Sequence, residues 1–173
     1  MISQLPYIVL QFLLLLAAQV MVFSSVNFSP FVNPYVFPLF ILLLPFETPR
    51  IVLMVVGFFA GLSLDVFMGS IGMHAASCLL IGYLRPMLIS VITPKGTEFE
   101  ISPHIFSQGI TWFVFYTGIS MFIYLLFYFL LEAGTFYNFF LLLLKVVASM
   151  AVSVALMISL LYIFSARRKR RFV

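Results

Sequence analysis

A chain of 173 residues that is 64% hydrophobic, 18% aromatic and 8% charged cannot cover a water-facing globule, because soluble domains usually carry roughly 25% charged residues. With a mean hydropathy of +1.22, the composition points to an all-α integral membrane protein of a single domain. The net charge of +4 is not a nucleic-acid signature, since five of the nine cations form the terminal run Arg167, Arg168, Lys169, Arg170 and Arg171.

Taken in chain order, six apolar spans are expected, at about 5–23, 35–46, 51–68, 73–92, 105–131 and 139–164, followed by a basic tail over 165–173. The first contains Gln11 and Gln19 and has no basic residue before it, so it reads as a retained span rather than a cleaved signal. The second, YVFPLFILLLPF, is short and holds Pro38 and Pro45, which suits either a kinked span or a re-entrant segment. GSIG at 69–72 turns the third span into the fourth, and beyond Leu84 the run RPMLISVIT reads as an interfacial or broken continuation. The longest polar stretch, PKGTEFEISPH, must be a loop before the long fifth span. Cys78 is the lone cysteine and lies in an apolar run, so no intramolecular disulfide can form.

Lys and Arg near span ends set orientation. With the basic tail inside, the loops holding Arg50 and Lys95 also fall inside, and the opposite side carries no cation in its loops. This puts both termini in the cytoplasm when all six segments cross. Arg167 to Arg171 then lie against the anionic inner leaflet, where each cation contributes about 1 kcal/mol.

The polar residues inside this apolar pattern are the candidate site. Gly57, Gly61, Asp65 and Gly69 recur every four residues and share one helical face. With Gly72 of the corner, the glycines form an expected helix-packing seam. Asp65 is the only aspartate, and a carboxylate in a span is costly unless offset. Lys145 and His74 fall at a similar depth, so a structural polar lock of Asp65, Lys145 and His74 is expected. In it, Asp65 either pairs with Lys145 or hydrogen-bonds the backbone of the corner, the rival being that both charges snorkel to the interface. Catalysis is not expected. There is no second aspartate for a carboxylate pair, and GLSLD has Asp where a nucleophile elbow needs its last glycine. No metal-ligand spacing or phosphate loop occurs either, and no cofactor is expected.

The run GFFAGLSLDVFMGSIGMHAASCLLIGYLRP, with Gly61, Asp65, Gly69, Gly72 and Tyr83, resembles the central signature of the rod shape-determining MreD family. NPYVFPLFILLLPFETPR is similar to that family's proline-marked second segment. The resemblance implies a six-transmembrane-helix bundle similar to the substrate-binding subunits of energy-coupling-factor transporters. It also implies a non-enzymatic scaffold of the bacterial inner membrane, maintaining cell shape. Its implied partners are MreC and, with it, MreB, RodA and a class B penicillin-binding protein. A different class is also open: a small-molecule-binding or transport subunit with a cavity near Asp65, His74 and Lys145. An enclosed pocket with convergent polar groups would mark that class, whereas filled seams and an apolar flank would mark a scaffold.

Overall fold

The computed structural model of the protein describes residues 5–23, 32–93, 109–134 and 139–169. These residues are helical throughout their regular structure, and no sheet forms among them. The elements are α1 (Leu5–Ala17), continued by a π turn (Ala18–Phe23), then α2 (Leu39–Leu42), α3 (Arg50–Met68), α4 (Met73–Ile92), α5 (Ile110–Ala133) and α6 (Phe139–Lys169). Among the described residues, four helices are long and apolar enough to cross a membrane: α3, α4, α5 and the Phe139–Tyr162 part of α6. Their outward faces carry Ile51, Phe59, Val66, Phe115 and Phe140, the side chains a lipid solvent demands.

Most of the expected spans correspond to helices within a few residues, and α4 runs unbroken through Pro86. There is no interruption after Leu84, because Pro removes only one backbone donor and the surrounding bundle holds the helix. Residues 105–108 of the fifth span and 170–173 of the tail lie outside the described residues. The tail's first part is a continuation of α6, whose helical backbone reaches Lys169.

Antiparallel α3 and α4 form the tightest pair, and three glycines explain why. A Cβ on Gly57 would lie 2.8 Å from the Cys78 carbonyl oxygen, and one on Gly61 2.5 Å from that of His74. Reciprocally, a Cβ on Gly82 of α4 would lie 2.6 Å from the Leu53 carbonyl oxygen. Steps of four up α3 therefore meet steps of four down α4, the ridge spacing by which helices interdigitate. The seam is closed within the chain.

Gly69 and Gly72 do not belong to that seam, and here the structure corrects the expectation. Neither would bring a Cβ within 4 Å of anything, but both have positive φ, 69° and 72°. Gly69 ends α3 and Gly72 precedes α4 in the left-handed conformation that glycine adopts without a Cβ penalty. Replacing Gly82 with alanine is expected to destabilise the fold by about 1–3 kcal/mol through overpacking. Gly118→Ala, whose Cβ would meet nothing within 4 Å, is expected to be neutral or slightly stabilising through helix propensity. Unfolding midpoints in an SDS titration of mixed micelles would separate them; equal midpoints would refute the seam.

The second expected span holds only the four-residue α2, with irregular backbone and a turn before it and further turns after it. Tyr35 packs on Tyr128 (ring centroids 5.1 Å) and Phe46 on Trp112 (6.1 Å). Those two partners are separated along α5 by about 24 Å at 1.5 Å per residue. Twelve helical residues would reach about 18 Å, and irregular backbone at the two ends of the segment together with its aromatic side chains makes up the rest. Tyr35 to Leu44 are all buried. Non-helical backbone at such depth is tolerated only where protein or water satisfies its polar groups.

Candidate functional site

Protein side chains supply those partners. Gln19 sits in the π turn, and such widened turns frequently occur at functional positions. Its Oε1 accepts from the backbone N–H of Val36 (2.7 Å) and Phe37 (3.2 Å), while Nε2 donates to the Pro34 carbonyl (3.1 Å). From α6, Ser149 Oγ accepts from Asn33 N–H (3.0 Å) and Ser153 Oγ from Tyr35 N–H (2.9 Å). A buried amide left unpaired costs about 1–3 kcal/mol, so three side chains from two elements decide whether the irregular stretch can stay inside.

At the far end of the segment, Arg85 of α4 does the same for carbonyls. It is 1% exposed. Its Nε donates to Tyr116 Oη (3.0 Å), Nη1 to the Pro45 carbonyl (3.3 Å), and Nη2 to the carbonyls of Leu42 (3.4 Å) and Leu44. Tyr116 in turn donates to Leu42 O (3.2 Å). A guanidinium offers five donors in a fixed fork, which suits several carbonyls at the end of a short helix. The positive charge also faces the negative pole of α2.

Asp65 lies about 16 Å from Arg85 along α4, measured from the His74 it touches. The carboxylate is 4% exposed and fully engaged. Oδ1 accepts from His74 N–H (3.0 Å) and Ser70 Oγ–H (2.6 Å), and Oδ2 from Ala75 N–H (2.9 Å). His74 and Ala75 are the second and third residues of α4, whose amides have no intrahelical acceptor. Gly72, at the cap position, has no side chain to serve them, so Asp65 reaches across the corner and caps α4 from α3. Its charge sits at the positive pole of α4.

Lys145 is not its partner. Lys145 Nζ bonds Glu132 Oε2 at 2.8 Å and lies 4.2 Å from the Phe129 ring centroid. The physical reason is topological: Glu132 lies in the last turn of α5 and Lys145 nearly two turns into α6, so the two meet where these sequential helices pack, both partly exposed. The expected lock thus separates. Asp65 and the backbone of His74 form one unit, and Lys145 belongs to the rim.

The His74 imidazole is wholly buried in an aromatic box. Nδ1 is 2.6 Å from Tyr124 Oη, Tyr128 stacks on the ring at 4.5 Å, and Tyr35 meets it at 5.3 Å and 61°. The side chains of Arg167, Arg168 and Lys169 and the whole of Arg170 and Arg171 lie outside the described residues.

Several of these groups carried a sequence signal that span-by-span hydropathy averages away. On α5, Tyr116, Ser120, Tyr124, Tyr128 and Glu132 recur every four residues, and on α6 so do Lys145, Ser149 and Ser153. Polar residues at that period mark the inward face of a membrane helix, and all but Glu132 and Lys145 are buried. Arg85 carried no such signal, because a lone Arg near a span end usually snorkels.

Among the described residues, no three His, Cys, Asp or Glu side chains converge as a metal site. A cavity of about 320 Å³ opens sideways between α5 and α6, lined by Val114, Phe115, Gly118, Ile119, Phe122 and Met150. No family model, curated protein or solved structure matches this chain.

Proposed function

We propose that the protein is a non-enzymatic scaffold of the bacterial inner membrane. In this reading a bundle of six membrane segments, the second of them built of turns and one short helix, has its C-terminus in the cytoplasm. It binds a single-span protein of the MreC type and helps couple MreB, RodA and a class B penicillin-binding protein in cell elongation. One observation carries the reading: Gln19, Asp65, Arg85, Ser149 and Ser153 all bond the chain's own backbone. Polar groups spent this way tie the bundle to itself, and what it presents outward is apolar, including the lateral groove. A rigid body with an apolar flank suits helix-to-helix association in lipid.

The runner-up is a small-molecule-binding or transport subunit. It is favoured by the one buried side-chain atom without a partner among the described residues, His74 Nε2.

Reconstitution into nanodiscs with a single-span MreC-type protein tests the two. Stable co-purification is the expected result, with loss of rod shape when the protein is depleted from cells. Failure to associate in bilayers, together with saturable binding of a small polar ligand, would reverse the ranking.

A further inference from the structure

We propose that His74 Nε2 binds a water molecule bridging it to the hydroxyls of Tyr35 and Tyr128, a site independent of the scaffold role. The imidazole is wholly buried, and Nδ1 is engaged with Tyr124 Oη at 2.6 Å. In either tautomer the other nitrogen is then stranded. If Nδ1 accepts from the Tyr124 hydroxyl, Nε2 carries a bare N–H; if Nδ1 donates, Nε2 carries a bare lone pair. No protein group among the described residues meets it. An unpaired polar atom inside a bundle within a membrane is heavily penalised, and buried polar sites are commonly completed by ordered water.

The neighbours fit that guest. Tyr128 stacks on the imidazole with 22° between ring planes, so its hydroxyl lies in a nearly parallel plane, off the in-plane axis along which Nε2 bonds. Tyr35 approaches the ring edge-on at 61°. Tyr35 and Tyr128 also pack on each other, with ring centroids 5.1 Å apart, and a phenol hydroxyl can both donate and accept. Nε2 and these two hydroxyls would supply the two or more polar contacts that a buried water requires. The route in is the α5 polar stripe, which passes from exposed Glu132 to the buried Tyr128 and Tyr124.

The test is solid-state NMR of the full chain in nanodiscs, with ¹⁵N-labelled histidine and His104→Gln so that one imidazole remains. Water-to-imidazole magnetisation transfer at His74 is the expected result, and it should fall at least severalfold in Tyr128→Phe, which keeps the stack and removes the hydroxyl. Absence of transfer in the parent protein, under conditions where His104 shows it in the unsubstituted chain, overturns the proposal. So does a density map that places one of the chain's own polar groups on Nε2. Undiminished transfer in a folded Tyr128→Phe would overturn the bridging position. Should that variant fail to fold, the parent measurement and the map still decide.

Discussion

Arg85→Met is expected to give the largest loss of stability, about 3–5 kcal/mol, comparable to breaking a buried charged partnership. Removing the guanidinium has a favourable side, since a buried charge is no longer desolvated. The carbonyls decide the balance, because they stay. Leu42 O keeps Tyr116 and Pro45 O keeps the Thr48 hydroxyl at 2.8 Å. Leu44 O loses the donor it takes from Arg85, and Tyr116 Oη loses its own. Each group left unsatisfied costs about 1–3 kcal/mol. Arg85→Lys should lose less, since an ammonium brings a charge and three donors without the planar fork. Chemical unfolding in micelles, read by circular dichroism, measures the series; Arg85→Met within about 0.5 kcal/mol of the parent, the size of an ordinary surface change, would refute the anchor.

Asp65→Ala is expected to cost about 3–5 kcal/mol. Hydrogen bonds to a charged acceptor contribute about 1.5–3 kcal/mol each, and Asp65 accepts three. They share one carboxylate, so the sum is not additive. Asp65→Asn should fall between, because one end of the amide still accepts while the other presents N–H to N–H. Lys145→Ala should cost at most about 1 kcal/mol, as a partly exposed ion pair does. Exchanging the two charges should not rescue either single variant. Equal losses at Asp65 and Lys145, or rescue by the exchange, would restore the direct pairing that the geometry replaces.

The contrast between these two residues shows where sequence reading reaches its limit. Asp65 was legible as an offset charge because a lone carboxylate among glycines in an apolar run needs a partner, and the corner backbone was among the candidates. Lys145 looked eligible by depth alone, but depth does not say which helices are neighbours. Gly57 and Gly61 announced a close approach, whereas Gly82 did so only once α4 lay against Leu53. Arg85 looked like an interfacial cation, since nothing local to it mentions the carbonyls some forty residues away that it serves.

Composition and hydropathy by themselves pointed to a helical protein for lipid, and among the described residues four apolar runs are helices long enough to cross a membrane. That information is local: each helix satisfies its own backbone, so a run of about 20 apolar residues is enough to name it. The second segment could not be settled that way. Its irregular backbone can stay buried because Gln19, Ser149, Ser153 and Arg85, from three other elements, meet its amides and carbonyls. Which side chains meet which backbone groups is a property of the assembled bundle, and only the tertiary structure decided it.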